Sequence, residues 1–175
     1  MARNEADQLR KGWDLVLDID CPHLPYAQVC AKVLVDGILY HGVNSVSVKF
    51  SGNNGFHIGV PFEAFPQNVQ GTNLEELFPE GPRKIAGYLA EFIREPLKKK
   101  LLEKFDINEM AKTVGKSFEE LVKDKVFDPF EVMKIDTVLI SSRHLYRMPY
   151  SLHEKSGLAS IPILPEQIEG CSAPG

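Results

Sequence analysis

Cysteine is scarce in this 175-residue sequence: Cys21, Cys30 and Cys171 are its three. They are too few and too irregularly spaced for a disulfide framework. Cys21-Pro-His23 with Cys30 lacks a second closely spaced ligand pair, so no zinc site is evident and the three read as buried free thiols. Long apolar runs are missing too. No stretch approaches the roughly 20 residues that a membrane span needs, and the opening MARNEADQLRKGW has no signal-peptide centre. The expectation is a cytoplasmic protein with no membrane partner. Excess positive charge is absent as well. Twenty Lys and Arg stand against 24 Asp and Glu, a net charge of −4. That excludes a general polyanion coat but not a nucleic-acid enzyme, whose active-site carboxylates add negative charge while its phosphate contacts gather on one face. No internal repeat or low-complexity linker divides the chain.

What remains is a composition of 43% hydrophobic and 25% charged residues, ordinary for one globular domain over residues 1–175 with a substantial core. Residues 13–20, WDLVLDID, read as a strand ending in two acids two positions apart. A helical apolar pattern follows over 25–40, carried by Ala27, Cys30, Val33, Leu34 and Ile38. Strands at 45–50 and 56–60 flank Ser51-Gly52-Asn53-Asn54-Gly55, a hairpin turn because Gly and Asn tolerate positive φ. After an irregular segment over 66–82, a long helix is predicted over 82–104, interrupted or kinked at Pro96. Ile85, Tyr88, Leu89, Phe92 and Ile93 mark its buried face, and Lys98, Lys99, Lys100 and Lys104 its wet one. Short helices are predicted at 107–113 and 117–125, a strand over 131–136, a helix over 137–146 and an extended tail over 164–175. Strands and helices alternate without a regular βαβ rhythm, so the expected class is α+β: a mixed or antiparallel sheet with flanking helices.

Three constellations carry chemistry. Alternation along a strand puts Asp18 and Asp20 on one side, about 7 Å apart, where a divalent cation relieves their repulsion and oxygen donors suit Mg²⁺ or Mn²⁺. The bland alternative is a strand end entering solvent. In the hairpin, a turn at 51–55 pairs Phe50 with Phe56 and Lys49 with His57. Val48, Phe50, Phe56 and Ile58 then face the core, while Lys49 and His57 meet on the other face. With the Ser51 hydroxyl and turn N–H groups, that face suits a triphosphate, or it is an ordinary hairpin with a satisfied histidine. Asp136 closes a third segment, as ligand or helix cap. It precedes a basic cluster of Arg143, His144, Arg147, His153 and Lys155 suited to phosphate, or to neighbouring glutamates.

In this order the segments resemble the catalytic core of the archaeo-eukaryotic primase superfamily, in particular its small primase subunits. The resemblance rests on D-I-D at 18–20, S-G-N-N-G-F-H at 51–57, I-D at 135–136 and, most specifically, H-L-Y-R-M-P-Y-S-L-H-E-K-S-G-L-A-S-I-P-I at 144–163. It spans about residues 13–163. It implies that Asp18, Asp20 and Asp136 bind two divalent ions, Mg²⁺ or Mn²⁺. It also implies that Lys49, Ser51, Gly52, His57, Arg147, Ser151, His153 and Lys155 bind the nucleotide. The implied activity is template-directed primer synthesis from nucleoside triphosphates on single-stranded DNA, with a primase large subunit as partner. The zinc-binding insertion usual in such subunits is not visible, and the family's first sheet elements are missing or very short, so a minimal member or a catalytic fragment is expected. A gap-filling polymerase of the same superfamily, a non-catalytic nucleic-acid-binding subunit and a metal-dependent phosphodiesterase are the alternatives.

Overall fold

The computed structural model describes residues 10–136, 140 and 146–171. The first strand, β1 (Leu15–Asp20), buries Leu15, Leu17 and Ile19 and turns the alternate Val16, Asp18 and Asp20 the other way. Helix α1 (Leu24–Tyr40) starts with proline in its first turn, where the missing N–H costs nothing. The hairpin is β2 (Ser47–Phe50) and β3 (Phe56–Val60). A minor ribbon, β4 (Asn68–Val69) with β5 (Thr72–Asn73), precedes α2 (Glu80–Lys104). Then come α3 (Ile107–Val114), α4 (Phe118–Leu121) and a second ribbon of β6 (Val122–Lys123) and β7 (Val126–Phe127). The strands β8 (Lys134–Asp136) and β9 (Ile161–Ile163) complete the set.

Among the described residues the main sheet has five antiparallel strands in the order β8-β1-β3-β2-β9. The class is therefore α+β, as expected, and the sheet is antiparallel throughout. Val48, Phe50, Phe56 and Ile58 are buried as the alternation requires. Helices α1 and α2 pack against that apolar face and against each other. The opposite face carries the polar residues of the strands. No helix among the described residues is long and apolar enough to cross a membrane.

Four expectations change. Helix α2 runs through Pro96 without interruption; the missing N–H falls on one carbonyl, and the buried stripe on either side holds the helix in place. That stripe is Pro82, Ala86, Leu89, Ile93, Leu97 and Leu101, so Tyr88 and Phe92 stand exposed instead of buried. They stack at the surface, Phe92 also on Tyr40. The segment expected as a helix over 117–125 is one helical turn followed by the β6–β7 ribbon, with Asp124 and Lys125 at positive φ. Of the expected tail, residues 164–171 are docked rather than extended. Residues 165–167 form a helical turn, Ile168 is fully buried, and the Gln28 amide donates to the carbonyls of Ile168, Glu169 and Cys171. The helix expected over 137–146 and the residues Arg143 and His144 fall largely or wholly outside the described residues. The lysines of α2 are a solvated, paired face: Lys98 meets Glu95, Lys99 meets Glu103, Lys100 meets Asp36 and Lys104 meets Glu169.

Candidate active site

Register across the sheet sets the arrangement. Asp136, Asp18, His57, Lys49 and Pro162 stand directly opposite one another in sequence across β8, β1, β3, β2 and β9. Directly opposed residues of an antiparallel pair share a face with Cβ atoms about 5 Å apart, so these side chains form one row across the polar face. Asp20 lies one pleat further along the same face, opposite Lys134.

The Asp18 carboxylate reaches the His57 imidazole, Oδ1 to Nε2 at 3.3 Å. His57 is only 6% exposed, and among the described residues its Nδ1 is a buried atom with no hydrogen-bond partner. A buried polar nitrogen left so is costly unless something meets it. Lys49 is buried beside it. Its ammonium donates to the Arg147 carbonyl and sits 3.8 Å from the centre of the Tyr146 ring. Burial, with the Arg147 charge second, pulls the Lys49 amine down to about 8.

The turn between β2 and β3 is built by two contacts only glycine allows. A Cβ on Gly55 would stand 2.3 Å from the Ile19 carbonyl oxygen, and Gly52 has φ +90° with Leu158 O and His153 Cβ close against it. The segment from Tyr146 to Ser160 straps this turn to the edge of the sheet. Ser156 Oγ donates to Gly52 O, Ser160 Oγ donates to Phe50 O at 2.9 Å, and a bridge pairs Leu152 with Ala159.

Turn, strap and β1 together border a cavity of about 230 Å³ lined by Asp18, Asp20, Ser51, His57, Arg147 and His153, with Asn53 and Asn54 at its lip. Its walls are polar and carry both signs of charge. The Arg147 guanidinium is held by Leu152 O at 2.9 Å and Glu154 at 2.5 Å. The His153 Nδ1 accepts from the Lys155 and Ser156 amides, which leaves Nε2 to carry the proton of the neutral ring. Asp20 also borders a second hollow of about 610 Å³ with Asp136, Lys134 and Arg94. Asp18 thus borders the first hollow, Asp136 the second, and Asp20 both.

Several expected residues stand elsewhere. Lys49 lies beneath Tyr146 and not on the cavity wall. Ser51 stays on the cavity wall, where its hydroxyl accepts from the Asn53 and Gly55 amides of its own turn. The Ser151 hydroxyl donates to Met148 O at 2.7 Å, and the Lys155 side chain is exposed on the strap; neither lines the cavity. Cys21, which sequence reasoning set aside as a core thiol, is buried yet touches the cavity wall, and burial pushes its thiol up to about 11. Tyr146 lies inside the signature at 144–163 but was given no role, for no local pattern shows which strand residues it covers.

Three aspartates are hard oxygen donors of the kind Mg²⁺ and Mn²⁺ prefer, so the donor chemistry fits those ions. As placed, the side chains do not close on one point. Among the described residues no three His, Cys, Asp or Glu groups gather closely enough to hold an ion.

Comparison with known proteins bears on the same segments. The family described as DNA primase small subunit matches residues 17–164. The chain is 28% identical to the DNA primase small subunit of Pyrobaculum islandicum over 94% of this chain. It is 30% identical to that of Pyrobaculum calidifontis and 28% to that of Pyrobaculum aerophilum, each again over 94% of this chain. It spans 57% of the length of each of these curated relatives.

Proposed function

The chain belongs to the DNA primase small-subunit family, and from that premise we propose that it carries the nucleotidyl-transfer centre of a primase. In this reading it joins nucleoside triphosphates into short primers on a single-stranded DNA template in the cytoplasm, with a large subunit as partner. One observation carries the proposal: the cross-sheet row sets Asp136 and Asp18 side by side, next to a buried histidine and a cavity walled by Arg147 and His153.

At about 230 Å³ the cavity is smaller than the roughly 300–1,000 Å³ typical of whole-ligand pockets. We read it as the seat of the triphosphate, with sugar and base on the open face. Arg147 presents a charged, planar donor and His153 an Nε2–H, and the His57 ring lines the same cavity. These groups offset charge that grows on the phosphates as the bond to the α-phosphorus changes hands. Asp18, Asp20 and Asp136 would hold two divalent ions, which supply activation of the attacking 3′-hydroxyl and neutralisation of the departing pyrophosphate. Side-chain rotation on a fixed sheet is what the carboxylates need for that task. Lys49 supports the site from below instead of touching nucleotide, and Ser51 and Gly52 shape the turn that walls it.

The test is to supply single-stranded template, labelled nucleoside triphosphates and Mn²⁺ with no primer. Short products made from nucleotides alone are expected. Extension only of an added 3′ end would reject priming and favour the gap-filling reading.

A further inference from the structure

We propose that Tyr146 is a positioning residue: its ring, packed on the Lys49 ammonium and beside His57, fixes where His57 and Arg147 stand in the nucleotide cavity. The inference rests on the function proposed above, and deepens it.

The geometry is specific. The Tyr146 ring centre is 3.8 Å from the Lys49 ammonium and 5.1 Å from the centre of the His57 ring. The tyrosine is itself 43% exposed, so little of the core depends on it. Yet the two side chains it covers are 5% and 6% exposed. They are buried on the face of the sheet opposite the helices, and Tyr146 packs directly on both. A lysine in such a place needs compensation, because an ammonium without partners is costly to bury. Among the described residues Lys49 finds two partners, the Tyr146 π face and the Arg147 carbonyl.

That second partner links the pair to the cavity. Arg147 is held at its backbone by Lys49 and at its guanidinium by Leu152 O and Glu154. Lysine, strap and arginine thus form one chain of contacts, and Tyr146 closes it. The tyrosine also stands as a partition. One side of it borders a separate groove of about 390 Å³ with Asp14, Val16 and Ser47, and the other side borders His57. Burial first, then the Asp18 and Asp14 charges, push its phenol up to about 12, so the ring stays neutral and electron-rich. Without the ring, water from the groove reaches the ammonium. Lys49 then has solvent as an alternative to the Arg147 carbonyl, and the strap loses its fixed distance from β2. The recognition is by the ring face, which phenylalanine also supplies.

Two measurements on the full chain test this. In the absence of nucleotide, the Lys49 ε-methylene protons should be shifted upfield by the ring in wild type and in Tyr146→Phe, and should return to ordinary lysine values in Tyr146→Leu. Calorimetric binding of ATP with Mn²⁺ should be about five- to tenfold weaker in Tyr146→Leu and near wild type in Tyr146→Phe. Lys49→Met should weaken binding similarly, and the double variant should be no worse than either single one. An upfield methylene shift that persists in Tyr146→Leu overturns the proposal, as does unaltered ATP affinity in that variant. A wild-type chain that fails to bind ATP at all instead rejects the nucleotide-cavity reading, and the methylene shift alone then decides whether the lysine clamp exists.

Discussion

The missing side chain at position 55 is what lets the hairpin turn rest on β1, since a Cβ there would stand 2.3 Å from the Ile19 carbonyl oxygen. Backbone is on both sides of that contact, so neither can yield as a flexible side chain would. Gly55→Ala should therefore cost about 1–3 kcal/mol in a urea unfolding titration and should weaken ATP binding by moving Ser51 and Asn53; an unaltered midpoint would show that the turn adjusts freely. This position was legible only as part of a turn. Glycine and asparagine at 51–55 announce the reversal through local φ preference, and the pairing of Lys49 with His57 follows from the turn length. Two features were not legible: that Ile19 presses on the turn, and that Lys49 goes under Tyr146 instead of into the cavity. Both depend on where a segment almost a hundred residues away, or a neighbouring strand, comes to lie. The Ser151 and Lys155 side chains stayed off the cavity for a similar reason. The turns of the strap decide which of its side chains face inward, and those turns are fixed by Ser156 and Ser160 bonding to the hairpin.

At the scale of elements, periodicity found the helices and missed their orientation. Helix α2 has two candidate apolar stripes; Leu89, Ile93 and Leu97 are buried, with Ile93 against Gly37 of α1, while Tyr88 and Phe92 lie at the surface beside Tyr40 and His41. Which stripe wins depends on the shape of the partner helix, and composition holds no record of it. The C-terminal segment shows the same dependence. Proline spacing suggested an extended tail, but one side chain of α1, Gln28, gathers three of its carbonyls while Ile168 enters the core. Gln28→Ala should free that segment. Cys171 is half-buried whereas Cys21 and Cys30 are buried, so the variant should show faster reaction of one thiol with a colorimetric thiol reagent in the native state, with the other two still silent. No change in the rate would mean that Ile168 and the Lys104–Glu169 pair hold the segment without Gln28.

For the molecule as a whole, a single antiparallel sheet separates two tasks. Its apolar face rests on α1 and α2 and gives stability, and its polar face displays the cross-strand row. The class of fold and the residues on the polar face were legible, because alternation within β1, β2 and β3 is a local property. The strand order was not. β8 and β9, the edges, come from segments separated by 24 intervening residues (137–160) and join opposite sides of the sheet, and only that closure brings Asp136 beside Asp18. The signature at 144–163 compensated for this by pointing to a family, whose match over residues 17–164 takes in all of β8, the strap and β9. The central claim is that the Asp18–Asp136 pair makes this sheet a nucleotidyl-transfer centre. The most direct measurement is Mn²⁺-dependent incorporation of labelled nucleotide on a single-stranded DNA template by wild type, Asp18→Asn and Asp136→Asn, with thermal unfolding measured in parallel. The account predicts incorporation by wild type that chelation abolishes, and a loss of at least about a hundredfold in each variant at near-unchanged melting temperature; incorporation that survives Asp18→Asn and Asp136→Asn would contradict it.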